Sequence, residues 1–418
     1  MKEKEVVVIG AGIIGLCSAY FLNKKGFNVT VIDNTDGSGN CSYGNAGFIS
    51  PSHIIPLASP GIINQGIRWM TRSDSPFFIK PKLNSDLISW GLKFRKAATK
   101  KRVAAAVPLL NDLLMSSRTL TEQLLKEEDI DAGFNDKGII VFCKTQQALD
   151  EETTIAERTI KLGQKTEILS AEQARALNPE LDLDVLGGVW YREDANLTPH
   201  IFIEKFIDVL KQKGVTIKYN QEVSKITSND DKNIDSIIVN GEKVVADEYV
   251  LAAGSWTRDL LKQLDIQLPL QGGKGYSFVL PNPKANLNTC AILHEARVAV
   301  TPMLHGLRFA GTMEINGLDL TLNKKRIDGI IRSITKYFPQ YTKEDFKDIE
   351  PWAGLRPCSP DGLPYIGRTK GYKNLLIATG HAMLGVSLSV ITGKLIAQLA
   401  SNEVPEIDLT LLEVDRYN

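Results

Sequence analysis

Six residues near the start of the chain, Gly10-Ala11-Gly12-Ile13-Ile14-Gly15, constrain its fold more than any other feature because of what flanks them. Glu5 to Ile9 is a β-branched apolar run that reads as a strand. Leu16 to Lys25 reads as a helix ending at Gly26, and Phe27 to Ile32 as a second strand closed by Asp33. Strand, glycine turn, helix and strand in this order make a complete βαβ nucleotide-binding unit. Gly10, Gly12 and Gly15 let backbone approach a pyrophosphate. Ile13 and Ile14 belong to this turn as contact candidates, and the helix after it offers free N–H groups and a positive dipole end to that anion. Asp33, followed by Asn34, stands 18 residues after Gly15, where a carboxylate accepts hydrogen bonds from a ribose diol. A bare glycine pattern is weak evidence; the ordered elements around it make the dinucleotide reading specific.

The stretch from Gly37 to Ser50 is dense in small residues. Backbone this bare can lie against a flat ring system. A nicotinamide enzyme has no evident need for it here, whereas a flavin needs N–H donors at its ring edge and a smooth wall along its ribityl chain. Cys41, Ser42, Asn45, Ala46, Gly47 and Phe48 are the contact candidates and FAD the cofactor they indicate; a flexible loop is the plainer alternative.

With 418 residues the chain exceeds what one core usually supports, so two domains are expected. Lys plus Arg and Asp plus Glu both number 49, leaving no net field for a polyanion and making nucleic acid an unfavoured partner. Cys17, Cys41, Cys143, Cys290 and Cys358 are odd in number and form no C-x-x-C pair, so no metal site is expected and a reducing, cytoplasmic setting fits. Met1 to Glu5 runs straight into the first strand without the regions of a signal peptide. No apolar run reaches membrane-spanning length.

Further motifs recur along the chain: Tyr249-Val250-Leu251-Ala252-Ala253-Gly254-Ser255-Trp256, Trp352-Ala353-Gly354-Leu355-Arg356-Pro357, Ser359-Pro360-Asp361-Gly362, Pro364-Tyr365-Ile366-Gly367 and Ala378-Thr379-Gly380-His381. With the N-terminal unit, their order resembles the D-amino acid oxidase-like superfamily of flavoenzymes, and within it the D-amino acid dehydrogenases and glycine oxidases. The likeness spans nearly the whole chain. It implies an α/β fold in which a Rossmann-like FAD-binding domain is interleaved with an α+β substrate domain. It places Ala253, Gly254 and Trp256 beside the flavin, and the backbone of Val223 against the adenine. His381, Met383, Leu384 and Gly385 follow Gly380 at the start of a helix over Val386 to Leu399 that faces the flavin pyrimidine ring.

The same resemblance makes Arg356 the substrate-carboxylate ligand, a role that suits a planar guanidinium that keeps its charge when partly buried. His381 is a candidate for tuning flavin or amine, and Tyr276 and His294 for lining the pocket; each also has a purely structural reading. Tyrosines that glycine oxidases carry around positions 293 and 298 are replaced by Leu293 and Val298, which counts against glycine as substrate. Gly354 stands where the sarcosine oxidases tether flavin through cysteine, which implies a non-covalent flavin.

The expected division assigns 1–60, 155–270 and 350–418 to FAD binding, and 61–154 and 271–349 to substrate. Leu109 to Lys126 reads as helix, and Ala296 to Thr301 and Leu307 to Thr312 as strands. Between Ile62 and Val103, Trp69, Met70, Phe77, Phe78, Trp90 and Phe94 mix with Arg68, Arg72, Lys80, Lys82, Lys93, Arg95, Lys96, Lys100, Lys101 and Arg102. This is either a solvated helix face or a peripheral contact with the inner face of a membrane. The function expected is oxidation of a D-amino acid, or of a D-imino acid such as D-proline or hydroxy-D-proline, with electrons passed to a carrier or quinone. A glycine- or sarcosine-type oxidase using oxygen, and a non-catalytic flavin subunit, are the alternatives.

Overall fold

The computed structural model describes residues 4–70, 75–80 and 84–417. Arg72 and Lys82, and the side chain of Met70, lie outside the described residues.

The N-terminal unit folds in the expected order, as strand Glu5–Ile9, helix Ile13–Lys24 and strand Asn28–Ile32, the helix starting three residues before Leu16, with Val6 to Ile9 all buried. It nucleates a six-stranded sheet in the order Tyr365–Arg368, Leu375–Thr379, Glu248–Leu251, Glu5–Ile9, Asn28–Ile32 and Thr216–Lys218. All pairings are parallel except that of the first two strands. Parallel strands are covered on both faces, hence their continuous apolar character. On one face Ile13–Lys24 lies against Ser389–Ala400 so closely that a β-carbon at Gly393 would sit 2.4 Å from the Cys17 carbonyl oxygen. The other face packs against the three-stranded sheet of Val223–Ser228, Ile234–Val239 and Glu242–Val244.

A nine-stranded sheet forms the second layer system, in the order Trp352–Cys358, Gln271–Leu280, Gly306–Ile315, Val298–Met303, Cys290–Leu293, Ile139–Cys143, Gly187–Tyr191 and Thr166–Ser170, with Phe77–Ile79 added to Gly306–Ile315. Tyr276, Phe278, Val300 and Phe309 bury one of its faces against Ile327, Ile330 and Ile334 of helix Lys324–Tyr337.

The interleaving is more extensive than the sequence division. Strands Thr166–Ser170, Gly187–Tyr191 and Trp352–Cys358 pair in the nine-stranded sheet, although their positions were assigned to FAD binding. Helix Lys100–Glu127 lies within 61–154, yet Leu110, Leu113 and Leu114 pack into the core of the nucleotide-binding sheet. Apolar spacing shows that a face is buried without saying against which partner. The C-terminal helix begins at Ser389, later than expected, because residues 382–384 form a separate 3-10 turn.

Candidate active site

The glycine turn lies at the C-terminal ends of the parallel strands, where open α/β sheets bind their ligands. Its three glycines differ in purpose. A β-carbon at Gly10 would lie 2.6 Å from the Ala252 carbonyl oxygen, and one at Gly15 1.8 Å from that of Gly10, so close packing excludes both. At Gly12 a β-carbon would meet only Ser42 Oγ, at 3.7 Å, so here the glycine keeps space open at a helix start whose own N-cap residue has no side chain. β-carbons at Gly254 and Gly385 would likewise meet nothing within 4 Å. Bare backbone around open space fits a nucleotide cofactor.

Asp33 closes the second strand as expected; its Oδ2 accepts the Ala11 N–H at 2.7 Å, which pins the glycine turn, and its Oδ1 accepts the Thr35 N–H and hydroxyl. Asn34 is exposed beside it. The segment leading to Val223 is fastened here, since Gln221 N–H donates to the Asp33 carbonyl and Asn220 N–H to that of Thr35. Ser42 Oγ accepts the Ile13 N–H at 3.2 Å, joining the small-residue loop to the helix start. Ala253 and Gly254 follow strand Glu248–Leu251, with Trp256 exposed and the Gly254 carbonyl accepting from Thr379 Oγ1 at 2.9 Å.

The small-residue loop is an ordered structure. Cys41 Sγ accepts the Leu355 N–H at 3.3 Å, Asn45 Oδ1 accepts the Gly47 N–H at 2.8 Å, and Gly47 has φ +80 with the Leu197 carbonyl against its α-carbon. Ala46 stands between them, and Phe48 pairs with Asn196. Two side chains that the motifs did not single out hold this loop from the nine-stranded sheet. Ser277 Oγ donates to the Gly44 carbonyl at 2.8 Å. Buried Arg308 donates through Nη1 to the carbonyls of Tyr43 at 2.9 Å and Asn45 at 2.7 Å. Burial alone lowers its pKa to about 10, so the clamp stays charged at neutral pH.

Arg356 arrives from the same sheet. Gly273 pairs with Arg356, Gly275 with Gly354 and Ser277 with Trp352, and directly paired residues share a face. The Trp352 ring covers the α-carbons of both Gly44 and Gly354. Arg356 Nη1 donates to the Thr312 carbonyl at 2.6 Å. Burial lowers the guanidinium pKa, and no carboxylate among the described residues offsets it. A cation drawn partly from water without an anionic partner is costly.

Tyr276 and His294 do not join it. Lys274 and Tyr276 alternate with the glycines onto the opposite, helix-covered face, where the Tyr276 hydroxyl donates to Glu314 Oε2 at 2.9 Å. His294 Nε2 lies 3.5 Å from Glu152 Oε2, whose carboxylate also accepts from Tyr191, and burial lowers its pKa to about 4. Leu293 and Val298 pair on that same covered face, so the lack of tyrosine there carries no information on substrate size.

His381 lies at the expected turn, but its ring is buried: Nε2 meets Thr392 Oγ1 at 3.0 Å and burial lowers the pKa to about 3. It is a neutral element of helix packing, while its backbone bridges to Cys358. Gly380 has φ +82, Met383 is exposed, and Leu384 and Gly385 are half-buried. Ser387 Oγ ties this turn to the Phe48 carbonyl at 2.7 Å. Asp194, fully buried, accepts the Ser52 N–H and hydroxyl at 2.9 and 2.5 Å, and burial pushes its pKa up to about 7. Arg308, Ser277 and Asp194 carried no local signal, because each acts through a partner distant in sequence.

The chain is 33% identical over 420 residues to a D-amino acid dehydrogenase of Vibrio atlanticus (strain LGP32), covering 99% of this chain and 100% of the relative. Its fold is similar to glycine oxidase from Geobacillus kaustophilus, with TM-score 0.78, 21% identity and coverage of 99% and 100%. It is also similar to L-proline dehydrogenase from P. horikoshii, with TM-score 0.75, 20% identity and coverage of 99% and 98%. A family model described as FAD dependent oxidoreductase matches residues 5–399, and the chain accordingly belongs to that family, with FAD as its cofactor.

Proposed function

We propose that the chain oxidises the Cα–N bond of a D-amino acid whose carboxylate is held by Arg356. The observation that carries this reading is the half-buried guanidinium with no carboxylate partner among the described residues, on a strand whose Trp352 ring covers Gly44 and whose Leu355 N–H meets Cys41 Sγ. A two-pronged hydrogen bond to a carboxylate supplies the missing anion. The D configuration follows the full-length relative. The chemistry FAD supplies when bound is acceptance, at N5, of a hydride from the substrate α-carbon.

The chain contributes position and exclusion. Arg356 orients the acid, Trp352 walls the site, and the neutral ring of His381 adds no charge near the turn. The amine enters as the free base, so no protein base is required. A primary amine gives an imino acid that water hydrolyses to a 2-keto acid, while D-proline or hydroxy-D-proline gives a cyclic imine.

A dehydrogenase passing electrons to a quinone or carrier is favoured over an oxygen-using oxidase by exposed apolar and basic side chains on helices Ile62–Met70 and Ser85–Ala97 and after strand Gly306–Ile315. Ile63, Ile67, Ile88, Leu92, Leu318, Leu320 and Leu322 are exposed. Exposed Arg95, Lys96, Lys100, Lys101 and Arg102 accompany them. Exposed apolar and basic side chains together suit anionic lipid, the medium of a quinone. Trp90, on the same helix as Ile88 and Leu92, donates to the Cys358 carbonyl at 2.9 Å, two residues from Arg356. Among the described residues no helix is long and apolar enough to cross a membrane.

Anaerobic bleaching of the bound flavin by paired D- and L-amino acids tests the reaction. Bleaching by D forms alone is expected, and bleaching by none would sink it. Reoxidation by a soluble quinone in preference to oxygen, without peroxide, separates dehydrogenase from oxidase.

A further inference from the structure

Thr312 has φ +68, a left-handed conformation that a β-branched residue rarely adopts. It lies where the pairing of Gly306–Ile315 with Gln271–Leu280 slips. Lys274 faces Glu314 and Tyr276 faces Gly311, so Thr312 and Met313 together oppose Gly275. This is a β-bulge, whose left-handed position commonly belongs to glycine. In a regular ladder each carbonyl points along the sheet toward its neighbour strand. Arg356 belongs to the strand on the far side of Gln271–Leu280, yet it crosses above Gly275 and finds the Thr312 carbonyl at 2.6 Å. Only a carbonyl turned away from the ladder can meet it there. Among the described residues, Nε and Nη2 of Arg356 have no protein partner.

We propose that the Thr312 bulge is a positioning device. Its carbonyl fixes Nη1 of Arg356 and leaves the Nε–Nη2 edge presented for the two-pronged grip on substrate carboxylate. A residue with strained backbone persists only where its surroundings enforce it, and such residues cluster at functional sites. The inference rests on the reading of Arg356 as carboxylate ligand.

The test compares steady-state kinetics of FAD-loaded variants on a free D-amino acid and on its methyl ester. Thr312→Gly keeps the left-handed backbone and should leave KM for the acid within about threefold of the parent. Thr312→Pro fixes φ near −65° and withdraws the carbonyl. It should raise KM for the acid by roughly tenfold or more, the loss of one charge-assisted hydrogen bond, with FAD retained and ester kinetics unchanged. Deleting Met313 restores one-to-one pairing without shifting the flanking register, and provides the same readout if the proline variant loses its flavin. In an Arg356→Ala background neither change should add to the defect. Unchanged KM for the acid in a folded Pro or deletion variant, alongside a large rise in Arg356→Ala, overturns the positioning role. If Arg356→Ala itself leaves KM unaltered, the carboxylate reading fails instead.

Discussion

The Arg356 guanidinium lies directly over Gly275: a β-carbon at 275 would come within 2.2 Å of Nη1 and 2.4 Å of Nη2. The glycine here is demanded by a side chain two strand positions away in the pairing, not by its own backbone, since Gly275 pairs with Gly354 in an ordinary ladder.

Gly275→Ala should therefore act on function more than on stability. The obstructed atoms are the free end of a flexible side chain, which can swing aside at little cost to the fold. A guanidinium displaced by an ångström loses its two-pronged geometry, and KM for the free acid should rise about tenfold. Equal thermal midpoints with a raised KM would match this; a collapsed midpoint would mean that the glycine is required for packing.

Arg356→Lys or Arg356→Ala removes the carboxylate contact and leaves the nucleotide site intact. Losing a charged pair in a desolvated pocket should cost about 2–5 kcal/mol, or roughly 30- to several-thousand-fold in kcat/KM. Esters and amides of the substrate should be poor with the parent and indifferent to the change. Loss of flavin in place of this pattern would make Arg356 a structural residue.

The glycines of the first turn should separate cofactor loss from misfolding. Gly12→Val places its side chain in open space and should yield a folded, colourless protein. Gly15→Ala drives a β-carbon into the Gly10 carbonyl and should lower the thermal midpoint by several degrees even without FAD. Circular dichroism and flavin absorbance of the two variants decide it.

Arg308→Met leaves the Tyr43 and Asn45 carbonyls without their charged donor. Each such bond contributes about 1.5–3 kcal/mol. FAD should dissociate at least tenfold more readily on dilution, measured by recovered flavin fluorescence, with little change in KM for substrate at saturating FAD.

Acid stability should reflect His381. Its pKa is held at about 3 against about 6.5 when unfolded, so the unfolded chain binds more protons between these values. The stabilisation is present above about pH 6.5 and is lost as pH falls toward 3, at most roughly 4–5 kcal/mol. His381→Asn should flatten the fall of the thermal midpoint over that window. Asp194 has the opposite sign: with its pKa raised to about 7, its contribution is present below about pH 4 and lost as pH rises through 7. Asp194→Asn should accordingly flatten the change in stability between about pH 4 and 7.

Most of what adjacent residues carry was legible in the sequence, helix starts excepted. The βαβ unit, the position of Asp33 at the strand end and the run of small residues from Gly37 depend on geometry within some thirty consecutive positions, where strand, turn and helix preferences act directly. The C-terminal motifs singled out Arg356 because they too are contiguous, while its place on strand Trp352–Cys358 came from the structure. Tyr276 was a different matter. It lies one residue from Gly275, and whether it faces substrate or core depends on the register of Gln271–Leu280 against Trp352–Cys358, where a slip of one residue exchanges the two faces. The same dependence hid the Arg308 clamp, the Thr312 carbonyl and the passage of Trp352–Cys358 into the second sheet. Register between distant segments is settled by the packing of whole layers, and only the tertiary structure decides it.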